Sequence, residues 1–281
     1  MSRFHHSVSW NQSSNANLSA KAGDAKYKLK CDALLADESD ADSFQLQTAR
    51  SALRSPQTFF EPLHYEPNYH YPLIVWLHSD GFNENQINHV IPHVSTRNYV
   101  ATGIRGNRAA DSIGHRFDWH DSGAAIDAAH EKILTAIDEA QDRYSIHSGR
   151  VVLAGYRAGG TMALRVALRD PERFAGVASL GGEMPNGSCS LGNWDGIRER
   201  EMPMLWQYAL HRNDFDHDAL QDDIRQAMLL KAKVEIRQYK TNDEMNTAVL
   251  SDFNEWVMTQ IVTGQVGSKQ WDSATTCFSS N

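Results

Sequence analysis

The sequence predicts an α/β fold built as a doubly wound, mostly parallel sheet with helices on both faces. Two patterns carry that expectation. Apolar runs of strand length, chiefly PLIVWLHS (72–79) and RVVLAGY (150–156), are too continuously apolar for strands with one wet face. Segments with apolar residues at helical spacing alternate with those runs, the order of a sheet wound by crossover helices. A chain of 281 residues can enclose one large core, and nothing in it forces a second domain.

The elements follow in order. Residues 72–79 form the first strand and 99–104 a shorter one. Residues 121–144 repeat Ile126, Ala129, Ile133, Ile137 and Ala140 at helical spacing, with Asp121 or Ser122 available as N-cap. Strand 150–156 runs into helix 161–169, which must end before Pro171. Strands at 174–182, 203–210 and 234–239 come next, the last two separated by a helix at 217–230. A closing helix at 250–262 carries Phe253, Trp256, Val257 and Ile261. Residues 1–26, rich in Ser, Asn and Ala, are expected to be a mobile arm, 27–262 the domain and 263–281 a flexible tail.

Charge and cysteine content exclude several functions. The 27 basic and 35 acidic residues give a net charge of −8, and no basic run offers the positive stripe that a phosphate backbone needs. The longest apolar run, 73–77, is far too short to span a bilayer. Cys31, Cys189 and Cys277 match no zinc or redox spacing and read as free thiols. No apolar signal segment opens the chain, so a cytoplasmic location is expected. The residues do not fix an oligomeric state.

The most informative segment is 151–163, VVLAGYRAGGTMA. A buried strand enters a sharp turn at Arg157, flanked by Gly155 and Gly159, and leaves directly into an Ala-rich helix. That is the shape of a nucleophile elbow, where a side chain sits on a strained turn and its neighbours two residues away must be small.

On these residues the chain resembles the α/β-hydrolase superfamily, in its phospholipase/carboxylesterase-like branch. The resemblance spans about 56–261. Pro72 to Gly81 is similar to the strand and oxyanion loop of that family, with Ser79 in place of a glycine. Asp170 to Gly182 is similar to its helix-to-strand passage, and 201–214 to the strand and loop that deliver the triad acid.

The resemblance implies a triad that this sequence does not supply. Arg157 holds the nucleophile position, and a guanidinium stays protonated without a usable lone pair. No histidine follows His217, and Asp243 falls where the base is expected. Asp214 alone keeps the expected type. Nucleophile and base act as a unit, so the expectation is a catalytically degenerate hydrolase serving as a binding or regulatory protein. An active carboxylic-ester hydrolase using displaced residues is the alternative, with Ser79 or Ser112 as nucleophile and His78, His115 or His120 as base. A purely structural protein is the third reading.

The ligand-facing residues implied are Arg157 and Ala158 on the elbow, His78, Ser79, Asp80, Gly81 and Phe82 on the oxyanion loop, and Trp119 and Glu183 at the rim. Trp119 either lines a pocket or belongs to the cap of the following helix. Arg157 should pair with Asp214, Asp243 or Glu183, because an unpaired buried charge is costly. The helix N-terminus and the loop N–H groups would together suit a small anion, a carboxylate or phosphate; a protein partner is the other candidate. His78, His89, His93, His115 and His120, with Asp111, Asp118 and Asp121, contain ligand-type spacings, but no third ligand has an obvious place. Neither a metal nor another cofactor is expected.

Overall fold

A computed structural model describes residues 56–185, 193–212, 217–229 and 233–264, all within the unit Pro56–Asn281. The arm expected at 1–26, the start of the expected domain at 27–55 and the tail from 265 lie outside the described residues. So do Asp214 and the three cysteines.

Seven strands form one sheet: β1 (Gln57–Phe60), β2 (Tyr71–Leu77), β3 (Val100–Ile104), β6 (Ile146–Tyr156), β7 (Gly176–Leu180), β8 (Pro203–Ala209) and β9 (Lys233–Tyr239). Their spatial order is β1-β3-β2-β6-β7-β8-β9. All neighbours are parallel except β1, which lies antiparallel on β3 at the edge. Two short strands, β4 (Arg108–Ala109) and β5 (Phe117–Asp118), pair with each other beside the carboxyl ends of the main strands. The helices are α1 (Ile87–Val94), α2 (Gly123–Arg143), α3 (Ala158–Arg169), α4 (Trp194–Arg200), α5 (His217–Leu229) and α6 (Thr247–Trp256).

Strand alternation divides the core. Leu73, Val75, Leu77, Leu153, Val177 and Met204 face α2 and α3. Their chain neighbours Ile74, Trp76, Val152, Ala154, Ala178 and Leu205 face α1 and α6. Each of these side chains is buried, which is why the strands read as unbroken apolar runs.

Boundaries moved where local chemistry overrides the pattern. Ser122 is the N-cap of α2, accepting from Ala125 N. Helix α3 begins at Ala158, three residues before the expected start, because the elbow turns straight into it. Strand β6 begins at Ile146, since the polar stretch before Val151 still pairs with the start of β2. The closing helix starts at Thr247, capped by Asn246 Oδ1, and becomes a π-helical turn at Val257–Val262. Five elements had no expectation: β1, the short β4 and β5, α4, and α1, whose Pro92 masks an otherwise amphipathic pattern.

Candidate functional site

The sharp turn sits at the carboxyl end of β6, the central strand. Arg157 has φ 50° and ψ −119°, outside the regions that L-residues favour. It is held there by Arg157 N donating to Leu180 O at 2.8 Å and Thr161 N donating to Arg157 O at 2.9 Å. The flanking glycines are steric requirements. A Cβ at Gly155 would lie 2.5 Å from the Gly159 backbone, and one at Gly159 would run into the carbonyl oxygens of Leu77 and His78.

From this turn the Arg157 side chain is 36% exposed, and its Nη2 lies 3.9 Å from Asp243 Oδ2, itself 44% exposed. The guanidinium also sits 5.3 Å over the Tyr156 ring. An ion pair this long and wet contributes at most about 1 kcal/mol. Asp243 has stronger partners: Oδ1 accepts from Tyr156 Oη at 2.6 Å and from Met245 N at 2.7 Å. Burial and the Asp243 carboxylate hold the Tyr156 phenol well above its ordinary range, so it stays protonated. Partial desolvation and the Asp118 charge push the Asp80 carboxyl up, while Arg157 draws it down, which puts Asp80 within the field of the same guanidinium.

The oxyanion-type loop is wired inward. Ser79 N donates to Gln86 Oε1 at 3.2 Å, and Gln86 Nε2 donates to Ser79 Oγ at 3.1 Å. Gly81 N is shared between Asp118 Oδ1 at 2.9 Å and Phe117 O at 3.1 Å. Phe82 N donates to Ser79 O at 3.2 Å. The expectation that this loop aims several N–H groups at the elbow is therefore corrected: Ser79 N, Gly81 N and Phe82 N are engaged by Gln86, by Asp118 and Phe117, and by Ser79 O.

His78 is likewise removed from the ligand-facing set. Its ring is fully buried, Gly106 N donates to Nε2 at 2.8 Å, and Nδ1 lies 2.7 Å from Ser79 O as its donor. Burial lowers its pKa, so it is a neutral imidazole with both nitrogens occupied by backbone. Trp119 does not cap α2, whose N-cap is Ser122. It is 7% exposed, its Nε1 donates to His78 O at 2.7 Å, and its ring stacks obliquely on His78. Ser79 is buried too, whereas Phe82 is exposed. Glu183 is exposed and its N donates to Thr161 Oγ1 at 2.8 Å; among the described residues it forms no ion pair with Arg157.

The remaining candidates do not converge. Asp111 Oδ1 accepts from the backbone N–H groups of Gly114, His115 and Arg116. His120 Nδ1 accepts from Ser122 N, and Asp118 Oδ2 holds Arg108. His89 and His93 are exposed on α1. Among the described residues no three His, Cys, Asp or Glu side chains come close enough to hold a metal ion. A Ser–His side-chain pair does occur, Ser145 Oγ to His70 Nδ1 at 3.0 Å, but it lies where β2 and β6 begin, at the opposite end of the sheet from Arg157.

Sequence reasoning missed Tyr156, Gln86, Arg212 and Glu244. Tyr156 was legible as the residue before the turn, and Glu244 as the neighbour of Asp243; the other two carried no signal.

Residues 77–204, from the end of β2 to the start of β8, match the family model described as Phospholipase/Carboxylesterase. This stretch is similar to the phospholipase/carboxylesterase family, and the chain has the α/β-hydrolase fold. Solved structures share its fold. A Bacillus cereus carboxylesterase is 14% identical, with 75% of this chain and 97% of that chain covered and a TM-score of 0.57. YahD with malic acid is 12% identical over 73% of this chain and 98% of that one, TM-score 0.57. Arabidopsis thaliana SOBER1 is 16% identical over 66% and 97%, TM-score 0.54. The family match ends at 204, so the loop carrying Asp243 lies beyond it. No described helix is long and apolar enough to cross a membrane.

Proposed function

We propose that this α/β-hydrolase is catalytically degenerate and serves as a binding or regulatory protein. The observation that carries the reading is the residue on the elbow: Arg157 points from the strained turn, where an acyl-transfer enzyme needs a nucleophile. A guanidinium is protonated at any physiological pH and attacks nothing. Two further features support it. Asp243, at the position expected for the base, accepts from Tyr156 and Met245, and the loop expected to stabilise an oxyanion has Ser79 N and Gly81 N engaged by Gln86 and Asp118. The expected cytoplasmic location stays part of this proposal.

The ligand class that fits Arg157 and the start of α3 is a small carboxylate or phosphate, opposed by the Asp80 and Asp243 charges nearby. Malate and phosphate are suitable probes, since one structural neighbour was solved with malic acid. An anion-dependent rise in melting temperature that is lost in Arg157→Ala supports anion binding. No rise up to millimolar ligand assigns the crevice to a protein partner or to structure alone.

The degenerate reading is tested directly with short activated esters and a serine-directed fluorophosphonate. Turnover should equal that of denatured protein, and no serine should be labelled. Labelling of any serine would replace this reading with an active carboxylic-ester hydrolase using displaced residues. Sealing of His78 and the Gln86 bonds to Ser79 weigh against that outcome.

A further inference from the structure

Beneath the crevice lies a buried ion pair that the proposed function does not use. Glu244 has no exposed surface. Its Oε1 accepts from Ala209 N at 2.7 Å and lies 3.5 Å from Arg212 Nη1. Arg212 is 13% exposed at its side chain, and the same Nη1 donates to Gly181 O at 2.8 Å. Three chain segments meet at these two side chains: the end of β7 through Gly181, the end of β8 through Ala209 and Arg212, and the loop after β9 through Glu244.

The packing leaves the carboxyl little room to move. Gly181 has φ +69°, and a Cβ there would stand 2.5 Å from the Glu244 carboxyl carbon and from Oε2. Oε2 is buried without a hydrogen-bond partner. Such a placement is tolerable only while Oε1 is held firmly. Adjacent residues then face opposite ways: Glu244 points down into the floor, and Asp243 points up to Tyr156 Oη and Arg157 Nη2.

We propose that the Arg212–Glu244 pair is the strap that positions Asp243, and through it the Arg157 guanidinium in the crevice. With Glu244 anchored to Ala209 N and Arg212, the loop cannot lift, and Asp243 is presented to the elbow. Cut the strap and Asp243 withdraws, leaving Arg157 without its counter-charge. Both are positioning residues; neither reaches the crevice mouth. The inference holds whether or not the crevice binds a ligand, so it stands or falls separately from the functional reading.

The test uses the full chain and the rate at which phenylglyoxal modifies Arg157, followed by peptide mapping. Asp243→Asn sets the upper limit of Arg157 reactivity. Glu244→Gln is expected to raise the rate about threefold, the equivalent of losing a pair of this exposure. In the Asp243→Asn background it should add nothing, because the same contact is already gone. Leu134→Ala on α2, packed against the α2/α3 side of the core, is the control for general loosening and should leave the rate unchanged. If Glu244→Gln does not fold, Arg212→Lys, which keeps the charge but loses the guanidinium fork, is read by the same criteria. An unchanged Arg157 rate in the strap variants, an equal rise in Leu134→Ala, or additivity with Asp243→Asn would each overturn the proposal.

Discussion

Tyr156 Oη donates to Asp243 Oδ1 at 2.6 Å, tying the last residue of β6 to the loop after β9. The bond joins the strand that enters the elbow to the residue at the position expected for a base. The phenol is the donor of this pair. A phenol whose pKa is pushed up by burial keeps its proton and gives it as a hydrogen bond to the carboxylate, so Asp243 is engaged as an acceptor.

That arrangement bears on any attempt to restore activity. Arg157→Ser alone should leave ester hydrolysis at the level of denatured protein, because a serine without a base stays a weak nucleophile. Arg157→Ser combined with Asp243→His is the minimal repair. A rate more than about 10-fold over background in the single variant, where general-base catalysis alone is commonly worth 10²–10⁴, would contradict this assignment.

The elbow conformation itself has a stability signature. Non-glycine residues held in such regions cost about 1–3 kcal/mol, whereas the Arg157–Asp243 pair returns at most about 1. Arg157→Gly should therefore raise stability by about 1 kcal/mol, a gain of about 2–4 °C in Tm for a domain of this size. Arg157→Ala keeps the strain and should show no gain. Thermal unfolding of the two variants side by side decides the matter.

Asp223 on α5 supplies a pH signature. It is 6% exposed, accepts from Met184 N at 3.2 Å, and is pushed up to about 6 by burial, with Glu183 and Asp222 adding to the effect. A folded value above the unfolded one means its favourable contribution is complete below about pH 4 and is lost as pH rises through 6. Asp223→Asn should stabilise the protein by about 1–2 kcal/mol at pH 7.5, with the gain shrinking between pH 6 and 4. Chemical denaturation of both proteins at pH 7.5, 5.5 and 4 measures it; a gain that does not change with pH would rule the carboxyl out as its source.

Removing one member of the buried Arg212–Glu244 pair should cost about 3–5 kcal/mol, since the other charge is left uncompensated. Replacing both with leucine should cost clearly less than the sum of the single leucine substitutions. Urea midpoints for the two single variants and the double test the coupling.

Much of the fold was legible because the central strands are buried on both faces, so Leu73 to Leu77 and Val151 to Tyr156 announce themselves by apolar content alone. Edge and polar elements were not. Strand β1 is half-buried throughout, and α1 contains a proline that sequence patterns treat as a break. At the site, Arg157 and Asp243 followed from the turn and from the missing histidine. What Ser79, Gly81 and His78 do could not be read from the chain, because their partners Gln86, Asp118 and Gly106 are set by tertiary packing.

The close approach of Gly159 to the Leu77 and His78 carbonyls has a consequence for evolution. Helix α3 can lie against β2 and β6 only if the chain reverses as abruptly as it does at Arg157. Packing of the body is then sufficient to require the turn, whatever side chain stands at its apex. A strand–turn–helix of this kind in a distant sequence therefore testifies to ancestry and packing. The residue at its apex must be consulted separately before any chemistry is ascribed to it.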